Sequence, residues 1–207
     1  SLLVSSLLLP LHPAWAQDAG TPDSAAESST DIVVTATRQS ERLSRVPISI
    51  AALGKEQMDK QGVRTIDDIV RLTPGLMVNR GGNNSNTVAI RGIASTAGAS
   101  TTGIYIDDIP VQARNLGYAY SSAFPIVFDL ERVEVLRGPQ GTLFGAGSEG
   151  GTVRFIQPQP SLTDLSVYAR GEVFTVDGGD PGYEIGVAVG APIVADKIGF
   201  RISAYQR

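Results

Sequence analysis

Three stretches in the C-terminal quarter of the chain alternate with a period of two. Across residues 165–174 the odd positions are apolar or small and most even ones are polar or aromatic. Tyr183, Ile185, Val187, Val189 and Ala191 then share one face against Glu184, Gly186, Ala188 and Gly190. After a short turn at Ala195-Asp196, the row Ile198, Phe200, Ile202 and Ala204 opposes Lys197, Arg201, Ser203 and Arg207. Successive side chains of a strand point to opposite faces, so each stretch predicts one strand, with a Gly/Pro-rich turn at 178–182 between the first two. This is the signature of transmembrane β-strands, and a soluble antiparallel sheet with one dry face shares it. A longer first connection and a tight second one favour the barrel.

Upstream, from Val46, helical and strand periods mix. Pro47-Ile48-Ser49-Ile50 predicts a short strand, and 55–61 a helix closed by Gly62. Thr65 with Asp68 three residues on predicts a capped helix start, with Ile66, Ile69 and Val70 on one face and Pro74-Gly75 as its stop. Residues 87–91, 103–106 and 133–136 alternate as strands. The sum is a small α+β domain over residues 45–158. Two glycine-rich stretches, 81–86 and 138–151, interrupt it. The second lacks the Gly-Lys-Ser/Thr ending that a phosphate loop needs, so its glycines are assigned to tight turns and close packing.

Residues 2–11 form an apolar run followed by Ala14-Trp15-Ala16. The run is shorter than the roughly 20 residues that span a bilayer, and an apolar core before small-x-small is the secretory cleavage pattern. Residues 1–16 are therefore expected to be a truncated signal peptide, cut after Ala16. Mass spectrometry of the mature protein is expected to find Gln17 first; retention of 2–11 overturns this. A flexible linker is expected over 17–44, since 18–30 offers almost nothing to bury. Within it, residues 31–38 are β-branched and strand-prone. They are either the first strand of the next domain or a strand-former, mobile at rest, that pairs with a partner's sheet edge.

Composition narrows the chemistry. The 207 residues carry a net charge of -4, without the basic stripe of a nucleic-acid binder. Charged residues are 18% of the chain, below the roughly 25% usual in soluble domains. There is no cysteine, and the one histidine, His12, lies in the segment expected to be removed. No catalytic triad and no His/Cys metal site can be assembled, so no enzyme activity, cofactor or metal is expected. The chain starts at Ser1 and stops inside an alternating run, which suggests a longer parent.

The order of these parts resembles the TonB-dependent receptors of Gram-negative outer membranes. Asp31-Ile32-Val33-Val34-Thr35-Ala36 looks like the energy-coupling box that pairs with TonB. Val88-Ala89-Ile90-Arg91-Gly92-Ile93 looks like the family's Ile-Arg-Gly strand, and Tyr105-Ile106-Asp107-Asp108-Ile109-Pro110-Val111 like the strand and turn that follow it. The longest likeness runs from Leu130-Glu131-Arg132-Val133-Glu134-Val135-Leu136-Arg137-Gly138-Pro139-Gln140-Gly141 through Thr142-Leu143-Phe144-Gly145, the plug signature. The family often continues with Asn after Gly-Gly-Ala/Val-Ile, whereas Thr152-Val153-Arg154 follows Gly150-Gly151 here.

The resemblance implies an α+β plug domain followed by the first antiparallel strands (163–207) of a transmembrane β-barrel of about 22 strands. It implies an outer-membrane receptor that takes up a siderophore-iron complex or similar scarce nutrient, with TonB and membrane lipid as partners. Carbohydrate, cobalamin or aromatic compounds are alternative cargoes of the same machinery, and a non-transporting docking protein is an alternative of another class. It further implies that Asp31, Ile32, Val33, Val34, Thr35 and Ala36 meet TonB and that Arg91 and Arg137 face barrel-wall carboxylates. Gly92, Gly138, Pro139, Gly141 and Gly145 are expected to be structural. An adjacent pair such as Asp107-Asp108 points to opposite faces of a strand, so a turn role is expected there. Ligand contacts are expected in outward loops at 79–86 and 95–102, with Asn83, Asn84, Ser95 and Thr96 as candidates.

Overall fold

The structure is a computed structural model and describes residues 32–80, 86–95, 100–111, 124–175 and 178–207. In chain order, β1 (Val33–Val34) and β2 (Glu41–Arg42) form a small hairpin, and β3 (Ile50–Gly54) leads into α1 (Lys55–Lys60) and α2 (Ile66–Leu72). Next come β4 (Leu76–Arg80), β5 (Asn86–Ile90), β6 (Thr102–Ile106), β7 (Ile109–Pro110) and β8 (Arg132–Arg137). The short α3 (Gly141–Phe144) separates β8 from β9 (Gly151–Ile156), and β10 (Ser166–Phe174), β11 (Gly182–Val194) and β12 (Ile198–Gln206) complete the order.

The centre is a five-stranded sheet in the order β3-β8-β9-β6-β7, antiparallel except where β6 runs parallel to β9. Strand alternation sorts its side chains. Val133, Val135, Val153, Phe155 and Ile104 pack on one face against Met58 of α1, Ile66 and Ile69 of α2, and Leu76, Val88 and Ile90 of the β4–β5 hairpin. The intervening residues face the other way, where Tyr105 and Leu136 pack with Phe144 of α3 and with Ala36. That second face also receives the charged residues Glu134 and Arg154, paired in register on β8 and β9.

The capped start at Thr65 is present, with the Thr65 N–H donating to Asp68 Oδ2 at 2.9 Å. Helix α1 ends one residue early, and Gly62 turns the chain out of it at φ 64°. Two expectations shift. The strand expected at 47–50 begins only at Ile50, because pairing with β8 sets its start, Ile50 opposite Leu136. Part of the loop expected at 79–86 is strand: Asn79 pairs with Thr87 and Arg80 with Asn86 in the β4–β5 ladder. Backbone pairing tolerates these polar side chains, which hid β4 from periodicity; Asn83 and Asn84 lie outside the described residues.

The C-terminal sheet settles the choice that alternation left open. Along β11, Tyr183, Ile185 and Val187 are 58%, 54% and 43% exposed, whereas Glu184 is 3% exposed and Ala188 is fully buried. The apolar row points outward and the small or polar row points in, the reverse of a soluble sheet folded over a dry core. The α+β region followed by extended antiparallel strands is the expected fold class.

Candidate functional site

The segment expected to be free at rest is folded down. Val33 pairs with Arg42 and Val34 with Glu41, and the Leu43 N–H donates to Ile32 O at 2.9 Å. The reversal is made by residues 35–38, with Arg38 at φ 60° and its N–H on Thr35 O at 3.0 Å. Val34 and Ala36 are buried and Val33 is exposed. The chain's own β2 thus provides the sheet edge that a partner was expected to provide. Burying Val34 contributes roughly 1.5–3 kcal/mol towards holding the short strand in place. Asp31 lies outside the described residues.

Under the segment lies a buried charge cluster on the second face of the sheet. Glu134, fully buried, accepts Arg132 Nε on Oε1 and Arg154 Nη1 on Oε2, both at 2.7 Å. Its Oε1 also accepts the Thr35 backbone N–H at 2.9 Å. The Thr35 hydroxyl lies 3.1 Å from Arg132 Nη2 and 3.0 Å from Arg154 Nη1. Arg132 further pairs with Glu131, and Arg154 Nη2 reaches Asp108 Oδ1 at 3.2 Å. Asp107 takes a turn conformation at φ 51° and caps the Gln157 N–H at 2.9 Å. A cleft of about 360 Å³ opens beside the segment, lined by Val33, Thr35, Arg38, Asp108, Arg132 and Arg154 among others.

The glycine-rich loop is closed on itself. Gly138 N–H donates to Gly150 O at 3.0 Å and Gln140 N–H to Ser148 O at 2.9 Å. The amides of Leu143, Phe144 and Gly145 turn back onto Gln140 and Gly141. Amides spent in this way cannot cradle a phosphate. Gly92, Gly138 and Gly145 take positive φ of 79°, 93° and 73°, Gly141 heads α3, and Pro139 is exposed between β8 and α3. Arg38 reaches over this loop and donates to Leu143 O from Nε and Nη2 at 3.2 and 2.9 Å.

Arg91 and Arg137 converge on Ser49. Arg91 Nη2 lies 2.9 Å from Ser49 Oγ, and the Arg137 N–H donates to Ser49 O at 2.9 Å. Neither forms an ion pair among the described residues, and the buried Arg137 Nε has no partner among them. Ser95 is half-buried, and Thr96 lies outside the described residues.

The family model of the TonB-dependent receptor plug domain matches residues 42–152. The chain belongs to that family. Among its relatives, the ferripyoverdine receptor of Pseudomonas aeruginosa is 36% identical over 129 residues, 62% of this chain and 15% of the relative. The pesticin receptor of Yersinia enterocolitica is 32% identical over 180 residues, 85% of this chain and 24% of the relative. The crystal structure of the P. aeruginosa ferripyoverdine receptor bound to ferripyoverdine superposes with a TM-score of 0.67 at 28% identity, covering 84% of this chain and 22% of that one. The chain thus spans about a quarter or less of these relatives.

The plug meets β10–β12 through contacts that sequence reasoning missed. Asp129, buried at φ 50°, holds Arg201 of β12 through Nε at 2.8 Å and through Nη2, and Lys55 at 3.5 Å. Arg64 Nε lies 2.6 Å from Glu172 Oε2, and Tyr168 donates to Asp59 Oδ1 at 2.8 Å. Arg170 pairs with Glu184 and donates to Val127 O at 3.0 Å. The Phe128 ring sits between Tyr168 and Tyr205 and against Gly186, where a Cβ would run into it. One signal was available: Arg201, Arg170 and Glu184 occupy the row of the strands opposite the apolar one.

Proposed function

We propose that the chain is the plug-bearing part of an outer-membrane receptor that imports a ferric siderophore or a similar scarce nutrient through TonB. One observation carries the reading. The plug docks on the polar, inward row of strands whose outward row is apolar, the arrangement of a stoppered barrel in lipid. A lumen wide enough for a large nutrient leaks unless plugged, and the outer membrane has no ATP, so force must arrive through a protein contact. Residues 31–36, strand-capable by composition, are the contact we assign to TonB, by strand addition. Arg91 and Arg137, unpaired with any described carboxylate, are assigned to the rest of the wall. Asn83, Asn84, Ser95 and Thr96 are assigned to the ligand. The cargo class follows the ferripyoverdine receptors this chain resembles.

The test is uptake of radioactive iron as ferric siderophores by cells whose own receptors are deleted and which express the full-length parent, with and without TonB. Uptake that requires both is expected. Uptake indifferent to TonB overturns the mechanism, and cobalamin uptake in place of iron overturns the cargo.

A further inference from the structure

The hydroxyl of Thr35 is in an unusual position for a side chain on a surface segment. Two buried guanidiniums, Arg132 at 3.1 Å and Arg154 at 3.0 Å, converge on that one oxygen, while the adjoining N–H rests on the carboxylate they share. Val34 and Ala36, on either side, are buried by packing, which fixes the alternation of the segment. The hydroxyl adds a directional tie, an oxygen with two lone pairs between two donors.

We infer that Thr35 is a positioning residue that latches the coupling segment onto the plug, rather than a side chain offered to TonB. The inference rests on the assignment of residues 31–36 as the coupling segment. The latch can open without breaking an ion pair. Glu134 keeps Arg132 and Arg154 when the segment leaves, and both arginines keep it and their further carboxylates, Glu131 and Asp108. At the charge cluster, lifting the segment therefore breaks hydrogen bonds to one threonine only and leaves no buried charge without a counter-charge, the circumstance that makes broken ion pairs costly; the burial of Val34 and Ala36 is lost with it. Arg154, where the family often has Asn, supplies half of the hydroxyl's grip, so the latch is a property of this chain's own sequence.

The experiment uses the full-length receptor in native outer membranes, free of other cysteines, with a nitroxide label at Val33→Cys and, separately, at Gln57→Cys on α1 as a control. In the parent, the label at 33 is expected to be mostly immobile. Thr35→Val keeps the β-branched shape and removes the hydroxyl; it is expected to raise the mobile fraction at 33 several-fold and leave the label at 57 unchanged. Thr35→Ser restores the oxygen and is expected to return the spectrum to that of the parent. A label at 33 that stays immobile in Thr35→Val overturns the latch. So does loosening at both positions alike, or failure of the serine to restore order. The readout involves neither TonB nor transport, so its failure leaves the strand-addition reading standing, and failure of TonB-dependent uptake leaves the mobility result intact.

Discussion

Val33→Pro in the full-length receptor is expected to abolish uptake while ligand affinity is unchanged. Strand addition works through backbone groups, and proline removes the N–H, fixes φ and obstructs the ladder. The lost hydrogen bond alone contributes about 1 kcal/mol, and with the steric obstruction the affinity for a TonB strand is expected to fall roughly tenfold or more. Val33 is exposed, and its register partner Arg42 belongs to the same hairpin, so the plug core does not depend on it. Val33→Ala keeps the backbone able to pair and is expected to be milder. Paired measurements of binding and uptake decide the matter. Normal uptake by the proline variant excludes strand addition, and lost binding places the segment in the ligand-binding fold.

Gly151→Ala is expected to prevent the plug from folding. Gly151 opens β9 at φ 141°, opposite Arg137 on β8. A Cβ there would overlap the carbonyl oxygen of Leu136 and lie 2.8 Å from Ile90 Cδ1. The first obstacle is backbone inside a ladder and cannot swing aside. Backbone strain of about 1–3 kcal/mol adds to about 1–3 kcal/mol for overpacking, a large share of the roughly 5–15 kcal/mol that holds a domain together. The measurement is the amount of full-length receptor in the outer membrane and the protease resistance of its plug; parental values for both disprove the packing argument. Gly62→Ala is the comparison, since a Cβ there meets nothing within 4 Å. It is expected to cost only the left-handed conformation at φ 64°, about 1 kcal/mol.

What the sequence made legible followed from periodicity and stop signals. The alternation of 183–191, the cap at Thr65 and the glycine stop at Gly62 each depend on local physics, and each appears where expected. Illegible were the features that depend on which surfaces meet. A period of two does not say which row faces inward; the Asp129–Arg201 pair decides that, across 72 residues of sequence. The segment at 31–36 has the composition of a strand awaiting a partner, and nothing local showed that Glu41-Arg42 would return to fill the role. Glu134 and Arg154 read as ordinary polar positions on strands, and only the β8–β9 register brings them together. Gly151 was visible as one of a glycine pair, but its necessity comes from the close approach of Leu136 and Ile90.

The seam between the plug and β10–β12 also bears on the order of assembly. Its hydrogen bonds join residues separated by 43 to 109 positions, such as Arg170 with Val127 and Tyr168 with Asp59. All of them are complete within these 207 residues. Loop-closure entropy grows only with the logarithm of loop length, so the closures behind this seam cost little more than shorter ones. The plug can therefore dock on the inward row of β10–β12 with no contribution from any later wall strand.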